Sequence, residues 1–137
     1  MLDLDYHVLK ILYRSERMKV GDISKKMNIA HSTIGSCIKR LENNGYVIYK
    51  RYKPVLLSEK GKDLGIELTR HARLLEMLLI NVLKITAEDA HAECEKFNLL
   101  FSCNVIKRIC EIYGHPKECP CGEEILSSSD CICEKEF

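Results

Sequence analysis

Residues 20–57 read VGDISKKMNIAHSTIGSCIKRLENNGYVIYKRYKPVLL, and this stretch decides the fold. Apolar side chains recur at helical spacing within residues 20–27, and a second apolar stripe follows the break at residues 28–32. That second stripe consists of Ile34, Cys37, Ile38 and Leu41. Gly45 then supplies the left-handed residue with which many helices end. Together with an amphipathic helix at residues 4–14, the pattern predicts a helix-turn-helix.

Two β-rich runs, residues 46–51 and 55–57, follow the third helix and flank a turn that contains Pro54. They predict a hairpin with a basic tip, the wing of a winged helix. In such a module the third helix enters the major groove of DNA while basic side chains contact phosphates. The predicted DNA contacts come from the third helix and the wing: Ser32, Thr33, Ser36, Lys39, Arg40, Lys50, Arg51 and Lys53.

The net charge of +1 conceals an asymmetry between the two halves of the chain. Residues 1–62 carry 13 Lys and Arg against 6 Asp and Glu, whereas residues 63–137 carry 8 against 14. A basic half suits a polyanionic partner, which favours double-stranded DNA. A scaffold that uses the winged helix for protein contacts, or an electron carrier, remains as an alternative of another class. Salt-sensitive DNA binding would distinguish a regulator from both.

The second half is predicted to hold a long helix at about residues 59–84 and shorter helices at about 87–98 and 102–113. Cys103 and Cys110 fall on the apolar side of the last helix, and His71 shares a stripe with leucines, so all three are expected in the core. The fold class is therefore mainly α with a small β-hairpin. We expect a winged helix-turn-helix DNA-binding domain at 1–62, a helical dimerisation domain at 63–114 and a cysteine-rich tail at 115–137.

Three segments together resemble a known family. VGDISKKMNIAHSTIGSCIKRLENNGYVIYKRYKPVLLSEKGKDLG, RHARLLEMLL and GHPKECPCGEEI are similar in order and spacing to the iron-dependent repressors, which include the diphtheria toxin repressor and the manganese transport regulator. The resemblance covers about residues 4–125. It implies a winged-helix DNA reader, a helical metal-binding dimerisation domain and metal-controlled repression. A homodimer would then present two recognition helices to a two-fold symmetric operator.

The resemblance weakens at the family's helical metal site. Glu76, His91 and Glu95 match ligand positions, but Ala72 stands where the family has a histidine four residues before Glu76. His71 lies five residues before Glu76, and five helical steps turn its side chain about 140° away. Two further ligand positions are occupied by Asn98 and Leu99. Asp5 or His7 falls near an N-terminal ligand position. The family's divalent-metal sensor is therefore expected to be dismantled.

The tail, residues 114–137, reads GHPKECPCGEEILSSSDCICEKEF and holds four of the eight cysteines. In a cytosolic chain such a group argues for metal or redox chemistry rather than a disulfide framework. We predict that Cys119, Cys121, Cys131 and Cys133 hold an iron–sulfur cluster, possibly 4Fe–4S, or alternatively Zn²⁺ or Fe²⁺. A metal-free thiol switch is the third possibility. Cys94 and His115 are secondary candidate ligands, beside the residual helical group Glu76, His91 and Glu95. A repressor that depends on Fe²⁺ or Mn²⁺ and uses this helical group is a further alternative.

Other classes of protein find little support in the sequence. No stretch approaches the roughly 20 apolar residues of a membrane helix, and the acidic N-terminus is not a secretory signal. We find no glycine-rich phosphate loop or nucleophile elbow, so an enzyme is not expected. The predicted function is a cytoplasmic, dimeric transcription regulator, expected to be a repressor, that senses iron or redox state through its tail. Whether the metal-loaded or the metal-free form binds DNA is left open.

Overall fold

A computed structural model describes residues 1–96, 102–120 and 122–125. Its elements, in chain order, are α1 (Asp3–Ser15), β1 (Arg17–Met18), α2 (Val20–Met27), α3 (His31–Asn43), β2 (Val47–Ile48), β3 (Val55–Leu57), α4 (Glu59–Leu83), α5 (Ala87–Glu95) and α6 (Cys103–Ile112). The chain divides into two compact units, residues 1–65 and 66–137. The predicted fold class, mainly helical with a small sheet, is confirmed. The predicted boundary at residue 62 falls inside α4.

The core of the first unit forms where three helices meet the sheet. The predicted apolar face of α3 is confirmed, because Ile34, Cys37, Ile38 and Leu41 are all fully buried. From α1, the buried apolar side chains include Val8, Leu9 and Leu12, whereas Ile11 is only half-buried. Tyr46, Val47 and Val55 close the core from the sheet side.

The sheet has three antiparallel strands in the order β1-β3-β2, one more than the predicted hairpin. Leu56 of β3 pairs with Arg17 on one side and with Ile48 on the other. The extra strand, β1, is two residues long, so it has no apolar period that sequence reading could detect. It completes the wing by joining the end of α1 to the sheet.

The first two turns of α4 approach the winged helix through two glycines. A Cβ atom on Gly61 would lie 2.0 Å from the carbonyl oxygen of Tyr46, and one on Gly65 would lie 2.7 Å from the ring of Tyr13. Ser58 starts the helix, because its Oγ accepts a hydrogen bond from the Gly61 N–H at 3.0 Å. Any side chain larger than hydrogen at these two positions would force the helix away.

The second unit contains most of α4 together with α5 and α6. Thr86 and Ser102 cap the starts of α5 and α6 with their side-chain oxygens. One buried cluster brings together side chains of α4, α6 and the segment that follows: Leu74, Ile106, Ile109, Cys110, Cys119 and Ile125. A smaller cluster joins Ala72 to Cys94. In the part of the chain that the structure describes, no helix is both long and apolar enough to span a membrane.

Candidate DNA-binding surface and metal sites

The start of α3 is open to a ligand. Ser32, Thr33 and Ser36 are exposed, and the helix begins after Ala30 with neither a side-chain cap nor an acidic residue in its first turn. A helix N-terminus carries partial positive charge and attracts anions such as phosphates. Lys39, one turn further along, is also exposed. The polar side chains expected to meet DNA therefore lie at the surface of the recognition helix.

The tip of the wing carries the other predicted contacts. Lys50, Arg51 and Lys53 are exposed around a tight turn, in which the Lys53 N–H donates to the Lys50 carbonyl oxygen at 2.9 Å. The Arg51 guanidinium lies 5.0 Å from the centre of the Tyr52 ring, and Tyr52 is 78% exposed. This cation–π contact orients Arg51 without neutralising its charge.

Arg40 was expected on the exposed, DNA-facing side of α3, and the structure places it differently. Its Nε and Nη2 donate to both carboxylate oxygens of Asp5 at 2.9–3.2 Å, and the Asp5 side chain is fully buried. Burial on its own would raise the pKa of Asp5. Hydrogen bonds from Arg40, the Cys37 thiol and the Leu2 N–H outweigh that effect, so the pKa of Asp5 is lowered. The ion pair between Arg40 and Asp5 therefore links α3 to α1.

Cys37 shares this buried environment. Burial and the neighbouring Asp5 carboxylate both raise the pKa of its thiol, which stays protonated and unreactive at neutral pH. Its predicted role as a small core residue fits its complete burial.

The candidate ligands on α4 and α5, namely Glu76, His91 and Glu95, lie near one another. Glu76 Oε1 lies 3.0 Å from His91 Nδ1, and Glu95 Oε1 lies 3.9 Å from His91 Nε2. The two carboxylates therefore face opposite nitrogens of one imidazole ring, so the three side chains do not converge on one point in this structure. Burial raises the pKa of Glu76, with His91 opposing the shift and the charges of Glu123 and Glu95 adding to it.

The remaining residues do not complete a divalent-metal site of the family's kind. Ala72 is buried in the small apolar cluster with Cys94, and the Cys94 side chain is itself fully buried there. His71 is buried as predicted, with Nε2 3.1 Å from Glu67 Oε2. Within the described ranges, no three His, Cys, Asp or Glu side chains are grouped so that they could hold a metal ion. Asn98 and Leu99 lie outside the described residues.

The N-terminal candidates for the same site are engaged elsewhere. Both carboxylate oxygens of Asp5 accept hydrogen bonds from Arg40. His7 Nε2 lies 3.3 Å from the Asp3 carboxylate one turn earlier in α1. Neither side chain is therefore held ready for an ion.

In the tail, Cys119 is the described member of the predicted thiol group. It is buried and disulfide-bonded, and its turn closes through a hydrogen bond from the Gly122 N–H to the Cys119 carbonyl at 2.8 Å. Arg73 of α4 holds this turn by donating to the Glu123 carboxylate at 3.2 Å and to the Glu124 carbonyl oxygen. Cys121, Cys131 and Cys133 lie outside the described side chains.

Sequence reasoning also missed a contact between Cys110 and His115. Cys110, predicted as a core residue, is buried, but its Sγ also lies 3.4 Å from Nδ1 of the exposed His115. The available signal was Gly114, which follows α6 and marks a turn that brings the residue after it back toward the helix.

The model of the family described as "Iron dependent repressor, metal binding and dimerisation domain" matches residues 58–127, just over half of the chain. The chain belongs to the iron-dependent repressor family. A model of the MarR family matches residues 3–53, which cover most of the winged helix. The resemblance drawn from the sequence motifs is confirmed.

Individual relatives and solved structures are similar to this family member over most of its length. The "Iron-dependent repressor IdeR" of Mycobacterium tuberculosis is 28% identical over 129 residues, covering 91% of this chain and 56% of the relative. The "HTH-type transcriptional regulator MntR" of Lysinibacillus sphaericus is 28% identical over 102 residues, covering 74% and 73%. The solved structure of the manganese regulator SloR matches with a TM-score of 0.76 and 29% identity, covering 93% and 61%. The chain thus spans about half the length of IdeR.

Proposed function

We propose that this protein is a dimeric DNA-binding transcription regulator that acts as a repressor. The observation that carries the proposal is the exposed basic wing beside a recognition helix whose uncapped start presents small polar side chains. Family membership and the relatives' names, an iron-dependent repressor and an HTH-type transcriptional regulator, support the same reading.

Each group has a distinct part in binding. Ser32, Thr33 and Ser36 reach base edges or nearby phosphates at the major groove, while Lys39 and the wing cations contact the phosphate backbone. Backbone contacts set affinity and its dependence on salt, and contacts to base edges set sequence preference. A second copy places another recognition helix on the neighbouring half-site, so the operator is two-fold symmetric.

Control of DNA affinity is proposed to reside in the tail thiols rather than in the helical site. The names of relatives point to iron or manganese as signals. In this chain, however, Glu76 and Glu95 face different nitrogens of His91, and Ala72 offers no ligand. Four thiolates from Cys119, Cys121, Cys131 and Cys133 would supply an iron–sulfur cluster or a Zn²⁺ or Fe²⁺ ion with a full set of ligands.

A thiol switch without metal is the second candidate, and the disulfide at Cys119 favours it. Reduction of that bond to two thiols by a cellular dithiol, and its formation again by an oxidant, would change the turn that Arg73 holds against α4. Both versions place the sensor in the tail, and they differ in whether the reduced protein carries metal.

Purification without oxygen tests these proposals. The purified protein is first analysed for iron, zinc and acid-labile sulfide. Its affinity for a duplex selected from a randomised pool is then measured at salt concentrations between about 50 and 200 mM. Iron with sulfide supports the cluster, and metal without sulfide supports a mononuclear site. Metal-free protein with redox-dependent DNA affinity supports the thiol switch. Absence of salt-sensitive duplex binding would overturn the proposal that the protein is a DNA-binding regulator.

A further inference from the structure

Gly35 occupies a position of α3 where glycine is a costly residue. It lies inside the helix (His31–Asn43), with helical turns before and after it. In a helix interior, glycine is less favourable than alanine because its backbone loses more freedom on folding. A glycine at such a position is explained when its surroundings leave no room for a side chain.

The rest of the chain does leave that room. Gly61 and Gly65 are crowded by neighbouring atoms, and Gly45 and Gly114 have positive φ. A Cβ atom on Gly35, by contrast, would meet no heavy atom within 4 Å beyond its own stretch of helix, and the φ of Gly35 is not positive. Within the part of the chain that the structure describes, neither crowding nor backbone conformation requires glycine here.

Gly35 lies among residues that are proposed to contact DNA. Residues three or four apart on a helix are surface neighbours, so Gly35 has Ser32 on one side and Lys39 on the other. Both of these side chains are exposed, and Gly35 itself is half-buried. The missing side chain therefore leaves a shallow place on the outer surface of α3, bordered by two proposed DNA contacts.

A helix in the major groove has little space to spare. The groove of B-form DNA is about 12 Å wide, and a helix with its side chains is about 10–12 Å across. A glycine narrows the helix locally and allows its backbone to approach another surface closely. The surface that would fill the space beside Gly35 is thus the duplex.

We propose that Gly35 is the point at which the backbone of α3 lies in van der Waals contact with double-stranded DNA, so that even a methyl group there would hold the helix away. This inference rests on the proposed function and adds to it a contact that involves no charge and no side chain. It leads to an unusual pair of effects, because filling the space should strengthen the fold and weaken DNA binding.

The test replaces Gly35 with alanine and with leucine in the full chain. Gly21→Ala is the matched control, since Gly21 lies in α2 and an added Cβ there would also meet nothing within 4 Å. Thermal unfolding gives the melting temperature, and size-exclusion chromatography gives the oligomeric state. Fluorescence anisotropy at several salt concentrations gives the affinity for the duplex selected by the unchanged protein and for a random-sequence duplex.

Gly35→Ala is expected to raise the melting temperature by about 2–4 °C. It should weaken binding by roughly tenfold or more, because an extra methyl group in a closely packed contact is costly, and Gly35→Leu should weaken it further. The salt slope should not change, since no charge is removed. Gly21→Ala should leave the affinity unchanged. A loss confined to the selected duplex assigns the contact to base edges, and an equal loss on both duplexes assigns it to the sugar-phosphate backbone.

Three results would overturn the inference while the proposed function stands. If Gly35→Ala binds as tightly as the unchanged protein, the methyl group fits beside the duplex. If its melting temperature falls or its oligomeric state changes, the loss of binding arises in the fold or between copies of the chain. If Gly21→Ala loses as much affinity, the effect is not local to Gly35. An unchanged protein without salt-sensitive duplex binding instead rejects the proposed function, and this inference falls with it.

Discussion

Arg40 on the recognition helix and Asp5 on α1 form a buried-to-surface ion pair that joins residues 35 positions apart. The Asp5 carboxylate is completely inaccessible, while the Arg40 side chain is 35% exposed. A buried carboxylate that loses its cation is left with an uncompensated charge. The pair therefore fixes how α3 is presented, although Arg40 itself stands beside residues expected to contact DNA.

Replacing Arg40 should affect stability, whereas replacing its neighbour Lys39 should affect DNA binding. Arg40→Met removes the partner of Asp5 and is expected to lower the melting temperature by several degrees. Lys39→Met should leave the melting temperature unchanged and weaken DNA binding at low salt. Thermal unfolding and fluorescence anisotropy on one duplex measure both. Equal melting temperatures for the two variants would contradict the structural role of Arg40.

Asp5 should also make stability depend on pH in acid. Its folded pKa lies below the ordinary value of 3.8, so the stabilisation is complete above that value and is lost as pH falls through the lowered pKa. Asp5→Asn is expected to be less stable at neutral pH and to show a shallower loss of stability below about pH 4. Urea unfolding at a series of pH values gives the comparison. Parallel curves for the two proteins would show that Asp5 does not titrate in this way.

At the wing, Arg51→Ala is expected to weaken binding to every duplex sequence and to reduce the salt slope by about one phosphate contact. The physical reason is the loss of one released counterion. Arg108→Ala, which removes an exposed cation of α6, serves as the control and should change neither quantity. Unaltered affinity and salt slope in Arg51→Ala would remove this side chain from the interface.

Manganese or ferrous ions should have little effect through the helical residues alone. In a protein whose tail cysteines 119, 121, 131 and 133 are all serine, we expect Mn²⁺ or Fe²⁺ to raise DNA affinity by less than tenfold. The reason is that Glu76 and Glu95 face different nitrogens of His91. A gain of tenfold or more, about 1.4 kcal/mol, that disappears with Glu76→Gln would show a working helical sensor.

Single serine replacements in the tail should separate ligands from core cysteines. Each change at Cys119, Cys121, Cys131 or Cys133 is expected to lower bound iron or zinc sharply and to alter DNA affinity, whereas Cys37→Ser should affect stability at most. The winged helix should still unfold cooperatively in the tail variants, because its core consists of residues from the first unit. Metal content at the original level in all four tail variants would refute metal control by the tail.

The elements that sequence predicted well are those with a repeating apolar pattern. Four apolar positions at helical spacing were enough to define the buried face of α3, and Gly45 marked where the chain leaves it. The two-residue strand β1 has no such repeat. Its place in the sheet depends on Leu56, nearly 40 positions later, which pairs with Arg17.

Pairings between distant side chains were the main omissions at the candidate sites. Helical spacing put Arg40 on the surface but could not reveal Asp5, because their contact depends on how two helices pack. The meeting of Glu76 with His91 was suggested only by resemblance, and which nitrogen faces which carboxylate required coordinates. Cys110 and His115 are five residues apart, and only the Schellman turn at Gly114 brings their side chains together.

The two glycines at the start of α4 limit which insertions, deletions and substitutions this segment can accept during evolution. Gly61 and Gly65 are about one helical turn apart, so they lie on the same side of α4. Gly61 faces the backbone of Tyr46, and Gly65 faces the ring of Tyr13. Inserting or deleting one residue between them would rotate one glycine away by about 100° and bring a side chain into its place. The length of the segment from 61 to 65 and the two glycines at its ends are therefore fixed together.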